Sequence, residues 1–187
     1  MKDKKLLSDI KEYLKCYENQ VLEDWYELIR HISVSETGEG IETCCDWIQK
    51  KMEEIGIQVT KYSVKPAPVL VGRFGNDPEK KTVLIYAHYD VKPAGERKLW
   101  HSDPFVPTVR DGKVYARGSA DNKSPLMAHL KALEYFIRRK MEVPVNVIFV
   151  FEGDEECGSR GLEEFLAEHR TELAADLGFF SDGPKDP

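Results

Sequence analysis

Side chains that can bind a metal ion follow three apolar segments of the sequence, each with the composition of a buried strand. They are His88 and Asp90 after residues 82–87, the acidic run at residues 152–156 after residues 145–151, and Asp182 after Leu177–Phe180. A further carboxylate, Asp121, stands between a short predicted strand and a predicted helix. Ligands of open α/β sheets bind beyond the carboxyl ends of the strands, so these groups converge if the strands are neighbours.

Such a cluster has the chemistry of a metal site. Converging carboxylates repel one another and cannot all stay ionised without a cation. One imidazole with several carboxylates is a ligand set that suits zinc or manganese. A carboxylate shared between two metal ions would account for the large number of acids. The spacing of His88 and Asp90 also lets Asp90 hold the second ring nitrogen of a metal-bound histidine.

Each of these residues also has an ordinary structural interpretation. A single histidine after a strand is usually a hydrogen-bonded polar group, an acidic run such as residues 152–156 is usually a solvated loop, and Asp121 has the position of a helix N-cap. Four such positions at strand ends favour the metal site over these alternatives. Nucleophilic catalysis is disfavoured, because nothing basic adjoins Cys157 and because Ser119 and Ser159 lack the nucleophile-elbow pattern.

The elements that must position these residues follow from the hydrophobic periodicity. Apolar residues at spacings of three and four predict helices. The predicted helices span residues 6–29, 41–55 and 126–137, with a short helix from about residue 159. Apolar and β-branched segments predict strands. The predicted strands span residues 58–64, 69–74, 82–87, 145–151 and 177–180. The prolines of residues 90–107 predict a long loop, and residues 110–113 predict a hairpin turn.

Helices and buried strands alternate after residue 40. This alternation predicts an α/β fold, with a layered mixed sheet that is at least partly parallel and helices on both faces. The length of 187 residues allows one domain or at most two small ones. Apolar residues make up 41% and charged residues 32% of the chain, which suits a globular domain with a core and argues against disorder.

Charge and hydropathy exclude several classes of partner. The 33 acidic and 27 basic residues give a net charge of −6, which argues against a nucleic-acid partner, since that role needs a basic face. No apolar run approaches the roughly 20 residues that span a bilayer, and residues 1–10 lack the apolar core of a signal peptide. The four cysteines form no CxxC pair. We expect them to be reduced rather than to form a disulfide framework, and we expect a cytoplasmic protein without a membrane partner.

Several motifs occur together and in order along the chain. They are His88-Tyr89-Asp90-Val91, Trp100, Asp103-Pro104-Phe105, the segment DGKVYARG at residues 111–118, Asp121-Asn122-Lys123, the segment EGDEECGS at residues 152–159 and Ser181-Asp182-Gly183. Together they closely resemble a family of two-zinc amidohydrolases and exopeptidases. That family includes carnosinase, the cytosolic nonspecific dipeptidase, carboxypeptidase G, acetylornithine deacetylase and succinyl-diaminopimelate desuccinylase. Trp100 and the Asp-Pro-Phe loop look most similar to the dipeptidase branch.

The resemblance implies a set of metal ligands and a zinc-exopeptidase-like fold. His88 and Asp182 would hold one metal ion. Asp121 would bridge both metal ions, and Glu156 would hold the second. The implied cofactor is Zn²⁺, two ions per complete site, with Mn²⁺ or Co²⁺ as alternatives. In the family the peptide bond after the bridging aspartate is typically cis, which here is the bond between Asp121 and Asn122.

The resemblance also implies the catalytic roles. Asp90 would orient His88, and Glu155 would be the general base that takes a proton from the metal-activated water. The protein would be a metallopeptidase, a dipeptidase-type hydrolase that acts on a small peptide or an acyl amino acid. Hydrolysis of N-acyl amino acids by a deacylase or desuccinylase of the same family stays an alternative, because the motif residues do not separate the two substrate classes.

The chain departs from the family pattern in two ways. Ser124 stands where the family often has glycine. Members of the family are also roughly twice as long, with a lid or dimerisation domain and a C-terminal catalytic segment that supplies a further histidine for the second metal ion. We therefore expect residues 1–187 to be the N-terminal portion of a catalytic domain, nearly inactive alone, from a full-length protein that forms a homodimer. A non-catalytic metal-binding fragment is the remaining alternative.

Overall fold

A five-stranded sheet, a separate two-stranded hairpin and four α-helices make up the part of the chain that the computed structural model describes, residues 2–183, with side chains from residue 4 onward. The helices are α1 (Lys2–Arg30), α2 (Ile41–Ile55), α3 (Lys123–Arg138) and α4 (Leu162–Glu168). The strands are β1 (Gln58–Tyr62), β2 (Val69–Phe74), β3 (Thr82–His88), β4 (Thr108–Arg110), β5 (Lys113–Tyr115), β6 (Asn146–Glu152) and β7 (Leu177–Phe180). Two short 3-10 helices span Arg97–Leu99 and Glu155–Cys157.

The large sheet is mixed, as predicted. Its strand order is β1-β2-β6-β3-β7. Strand β3 is parallel to both of its neighbours, β6 and β7, whereas β2 is antiparallel to β1 and β6. The register places His88 of β3 opposite Glu152 of β6. The three parallel strands therefore end at the same edge of the sheet, which is the edge where ligands of such sheets bind.

Helices cover both faces of the sheet, which confirms the predicted layers. Successive side chains of a strand point to opposite faces. Phe149 and Phe151 of β6 pack into a core with α2 and α3 on one face. Ile148 and Val150 of the same strand pack with Phe165 of α4 on the other face. This unbroken burial on both sides explains why β6 is a continuous apolar run rather than an alternating one.

The boundaries of three helices differ from the predictions. Helix α3 begins at Lys123 instead of residue 126 and ends at Arg138 instead of residue 137. Helix α4 begins at Leu162 instead of about residue 159, because Gly158 and Ser159 have positive φ values of 91° and 51°. A right-handed helix cannot include such residues. Helix α1 begins at Lys2 instead of Leu6, because the charged residues of its first turn continue the helix without an apolar pattern that would reveal it.

The hairpin turn occurs where it was predicted. Asp111 and Gly112 lie between the paired strands β4 and β5 and have φ values of 50° and 70°. Two successive residues with positive φ form the turn whose twist matches that of the flanking strands. The hairpin leads directly into the segment that carries Asp121.

The cysteines are free thiols, as expected. Cys44 and Cys45 are buried in α2, and burial raises the pKa of the Cys45 thiol to about 12, although a hydrogen bond with Tyr89 and the charge of Lys61 act in the opposite direction. A thiol with so high a pKa is not a nucleophile at neutral pH. This pair of cysteines therefore contributes to packing.

Candidate metal centre

The strands β6, β3 and β7 bring one imidazole and several carboxylates to the same edge of the sheet. His88 is the last residue of β3 and is completely buried. Asp182 lies two residues after β7, and Glu155 begins the 3-10 helix after β6. Asp121 reaches this edge from the turn before α3. The helix N-cap is Asn122, so Asp121 does not have the capping position that the sequence left open.

His88, Asp121 and Asp182 form a three-ligand group. The Nε2 atom of His88 lies 3.0 Å from Asp121 Oδ1 and 3.4 Å from Asp182 Oδ2. One ligand atom from each residue lies within 4.8 Å of the other two. Catalytic zinc sites use imidazole nitrogen and carboxylate oxygen in this way, with three protein ligands and a fourth position left open. The group therefore fits a divalent metal ion. The peptide bond between Asp121 and Asn122 is cis, as expected.

Asp90 connects the histidine to the loop that carries Glu155. The Nδ1 atom of His88 lies 3.2 Å from Asp90 Oδ1 and 3.1 Å from the Asp90 carbonyl oxygen. The carboxylate of Asp90, completely buried, also accepts hydrogen bonds from the backbone N–H groups of Glu155 (3.2 Å) and Glu156 (3.0 Å). These contacts leave Nε2 as the nitrogen that faces the two acidic ligands.

The surroundings of His88 favour a positive charge. Burial by itself lowers the pKa of His88, but the hydrogen bond with Asp90 and the negative charges of Asp90, Glu155 and Asp121 outweigh it and raise the pKa to about 9. A metal cation and a proton compete for the same lone pair of an imidazole. A group of acids that attracts the proton so strongly also attracts the metal ion.

Glu155 stands beside this group without belonging to it. Its Oε2 atom lies 3.7 Å from His88 Nε2. Burial raises the pKa of Glu155, and the charges of Asp182 and Glu156 raise it further, whereas His88 lowers it. A raised pKa brings a carboxyl group closer to neutral pH, where it can accept a proton and then release it.

The structure does not bring Glu156 into the three-ligand group. Its Oε2 atom lies 3.6 Å from the Nζ atom of Lys92, and the cluster of close ligand atoms contains His88, Asp121 and Asp182 instead. The role of Glu156 as a ligand of a second metal ion stays a prediction.

Two further acids of the run at residues 152–156 have structural partners. Glu152 Oε1 accepts hydrogen bonds from the Tyr86 hydroxyl at 2.6 Å and the Ser159 hydroxyl at 2.7 Å. Asp154 pairs with the guanidinium of Arg160 at 2.7 Å. The acidic run therefore divides into residues that support the loop and residues that face the metal group. Composition alone did not reveal this division.

A close contact between Tyr89 and Gly153 was not foreseen from the sequence. The Tyr89 ring is completely buried, and its hydroxyl donates a hydrogen bond to the carbonyl oxygen of Pro68 at 2.7 Å. A Cβ atom on Gly153 would lie 2.5 Å from this ring. The glycine lets the end of β6 approach the segment that carries His88 and Asp90. In the sequence, the only indication of this contact was a bulky residue, Tyr89, in one motif and a glycine, Gly153, in another.

Comparison with known proteins places the chain in a family. Residues 84–187, more than half of the chain, match the family described as "Peptidase family M20/M25/M40". The chain belongs to this peptidase family. A Cys-Gly metallodipeptidase of Schizosaccharomyces pombe is 43% identical over 120 residues, which are 62% of this chain and 25% of that protein. The human Beta-Ala-His dipeptidase is 44% identical over 112 residues, which are 60% of this chain and 22% of that protein.

Solved structures of the M20 family share the fold. Human carnosine dipeptidase 1 superposes with a TM-score of 0.90 at 29% identity, over 95% of this chain and 41% of that one. An M20 family metallo-carboxypeptidase from Sulfolobus solfataricus superposes with a TM-score of 0.84 at 35% identity, over 89% of this chain and 38% of that one.

These findings confirm the resemblance drawn from the motifs. The chain spans about a quarter of the length of the dipeptidases named above and about two fifths of the structures. Among residues 2–183, no helix combines the length and the apolar character that crossing a membrane requires.

Proposed function

We propose that this protein hydrolyses the peptide bond of dipeptides or short peptides with the help of metal ions bound at the edge formed by β6, β3 and β7. The three-ligand group of His88, Asp121 and Asp182, with Glu155 beside it, is the observation that carries this proposal. Membership of a peptidase family supports it. The names of two similar relatives, Cys-Gly metallodipeptidase and Beta-Ala-His dipeptidase, support dipeptides as the substrate class.

The metal ion of this proposal is zinc. His88, Asp121 and Asp182 would hold the first ion, and Asp121 together with Glu156 would contribute to a second. When bound, zinc supplies a Lewis acid that polarises the peptide carbonyl and acidifies a water molecule. The donor set also suits Mn²⁺ or Co²⁺.

The residues of the chain perform the proton transfers and the orientation. Glu155 accepts the proton of the attacking water and delivers it to the amine nitrogen that leaves. Its raised pKa suits both directions of transfer. Asp90 holds Nδ1 of His88, so that Nε2 keeps its lone pair toward the ligand group.

Residues 1–187 are, in this proposal, the N-terminal portion of a catalytic domain. The lid or dimerisation domain and the C-terminal catalytic segment belong to a longer protein in this proposal, which the greater length of the relatives supports. We further propose that this protein is cytoplasmic and homodimeric. Positioning of the reactants can contribute roughly 7 to 11 kcal/mol to lowering a barrier. Losing even half of that contribution slows a reaction by about a thousandfold. We therefore expect the 187-residue chain to hydrolyse Cys-Gly at least about a thousandfold more slowly than the metallodipeptidase of Schizosaccharomyces pombe does.

Hydrolysis of an N-acyl amino acid is the second candidate. A succinyl-diaminopimelate desuccinylase of Thiobacillus denitrificans is 35% identical over 130 residues, which are 70% of this chain. This reaction would use the same ligands and the same base. The higher identity to the dipeptidases favours the peptide substrate.

Two adjacent glutamates offer a matched test of the catalytic roles. In the full-length protein, Glu155→Gln is expected to abolish hydrolysis of Cys-Gly. The zinc content should stay unchanged, because Glu155 is proposed to be a base and not a ligand. Glu156→Gln is expected to lower the zinc content. Parallel assays with Cys-Gly and with an N-succinyl amino acid distinguish the two substrate classes. Undiminished hydrolysis by Glu155→Gln would refute the proposed mechanism.

A further inference from the structure

Ser181, the residue before Asp182, is held by two side chains that belong to the start and the middle of α3. The Nδ2 atom of Asn122 donates a hydrogen bond to the Ser181 carbonyl oxygen at 3.1 Å. The Nε2 atom of His129 lies 2.9 Å from the Ser181 hydroxyl oxygen. The ring of His129 also contacts the ring of Phe179 edge to face, with the centroids 5.4 Å apart.

These contacts connect the two acidic ligands of the metal group. Asp121 directly precedes Asn122, so the first acidic ligand moves with the N-terminus of α3. Asp182 directly follows Ser181, so the second moves with the end of β7. The two hydrogen bonds to Ser181 join these two segments outside the ligand group itself.

The segment that carries Asp182 has few other attachments among the described residues. Strand β7 pairs with β3 along one edge, over four residues. All four of its residues are exposed, including Phe179 at 49% and Phe180 at 64%. Burial therefore contributes little to fixing the position of the end of this strand. The hydrogen bonds to Ser181 are correspondingly more important for that position.

We propose that His129 and Asn122 are positioning residues that hold Asp182 at its distance from Asp121 and so set the metal affinity of the site. This inference rests on the proposed function. Neither residue touches the ligand atoms, and both act through Ser181. Partners that orient metal ligands typically contribute 10- to 100-fold to metal affinity, and we expect an effect of that size here.

The protonation of His129 is compatible with this role. Burial lowers the pKa of His129, so its ring is neutral at pH 7 and has one nitrogen that donates and one that accepts. The Ser181 hydroxyl can accept a hydrogen bond from Nε2 of His129 when that nitrogen is protonated, and donate one to it when it is not. An amide side chain offers the same choice of donor and acceptor, which makes a conservative replacement available for the test.

The test is zinc affinity, measured on the 187-residue chain by competition with a chromophoric chelator. His129→Leu and Ser181→Ala are each expected to weaken zinc binding by about 10- to 100-fold. The double variant is expected to bind no more weakly than the worse single variant, since both remove the same hydrogen bond. His129→Gln is expected to restore part of the affinity, and the absorption of bound Co²⁺ should change in His129→Leu and recover in His129→Gln.

His169→Leu is the matched control. His169 is a partly buried histidine beside Tyr62 and Phe165, on the α4 side of the sheet, and pairs with Glu172. Its loss is expected to leave zinc affinity unchanged. Thermal unfolding in a chelator checks that each variant folds. If His129→Leu does not fold, Ser181→Ala gives the same comparison, because it removes only the hydroxyl group.

The outcomes separate this inference from the function on which it rests. A wild-type chain that binds no zinc would refute the proposed metal site itself. A wild-type chain that binds zinc, with a folded His129→Leu or Ser181→Ala of equal affinity, would overturn the positioning role and leave the metal site standing.

Discussion

The two halves of the metal group differ in how the fold holds them. His88 ends the interior strand β3, and Asp90 follows two residues later. Both side chains are completely buried, and Asp90 accepts hydrogen bonds from the loop after β6. Asp121 and Asp182 are exposed, and Asp182 follows an edge strand whose residues are all exposed. The interior of the sheet thus positions the imidazole, whereas a few polar contacts position the acidic ligands.

This difference has a consequence for the whole site. Close packing leaves a buried group little freedom, whereas exposed segments open locally at low cost. Substitutions near His88 should therefore change the stability of the fold. Substitutions near Asp182 should change metal binding and leave the stability of the fold nearly unaffected.

The largest expected contrast is between two phenylalanines. Phe149 of β6 is completely buried, and Phe179 of β7 is about half exposed. Phe149→Ala is expected to lower the free energy of unfolding by about 3–5 kcal/mol, because it leaves a cavity in the core. Phe179→Ala is expected to lower it by less than about 1 kcal/mol. Urea unfolding followed by circular dichroism measures both, and similar losses would show that β7 is part of the core.

Two glycines give the next contrast. A Cβ atom on Gly153 would lie 2.5 Å from the Tyr89 ring, whereas one on Gly183 meets no atom within 4 Å. Gly153→Ala is expected to cost about 1–3 kcal/mol, because the ring or the strand must shift. Gly183→Ala is expected to change stability by less than about 0.5 kcal/mol. Equal urea midpoints for the two variants would mean that the end of β6 is not packed as described.

The smallest expected contrast concerns two acid–base pairs. Burial alone would raise the pKa of Asp154, but hydrogen bonds with Arg160 lower it below its ordinary value of 3.8. A pKa that is depressed in the folded state stabilises the fold above about pH 4, and this stabilisation disappears as the pH falls through the folded-state pKa. Arg160→Leu is expected to cost about 1 kcal/mol at pH 7 and less at pH 2.5.

Asp176 supplies the comparison for this pair. Hydrogen bonds with Lys81 and with the backbone of Thr82 lower its pKa as well, but the pair is exposed. Exposed ion pairs contribute little, so Lys81→Leu is expected to leave stability unchanged at both pH values. Urea midpoints at pH 7 and pH 2.5 measure both variants. If Lys81→Leu were destabilised as much as Arg160→Leu, the exposed pair would contribute as much to stability as the pair with the buried Asp154, contrary to this comparison.

Much of the fold was predictable because its signals are local. The apolar runs gave β2 and β7 at their observed bounds and β3 and β6 within one residue at either end. The predicted start of α4 was wrong, because Ser159 has a left-handed backbone conformation, which is uncommon for a residue other than glycine and was not indicated by the sequence.

The site was predictable in its residues but not in its arrangement. The positions of His88 and Asp182 after apolar strands, and of Asp121 between a short strand and a helix, indicated a cluster. The strand order brings His88 and Asp182 together, and the turn before α3 adds Asp121. Strand order is a tertiary property. For the same reason, the sequence did not reveal that Glu152 and Asp154 face structural partners, or that His129 contacts the residue next to a ligand.

Zinc content after dialysis tests the central claim most directly. The 187-residue chain, dialysed against trace zinc and analysed for bound metal, is expected to retain about one ion per chain. His88, Asp121 and Asp182 can form a three-ligand site, whereas the proposed second site, Asp121 with Glu156, would have only carboxylates. His88→Ala is expected to retain almost none, and His169→Ala the wild-type amount. Equal zinc in the wild-type chain and in His88→Ala, or two tightly held ions in the wild-type chain, would contradict the site described here.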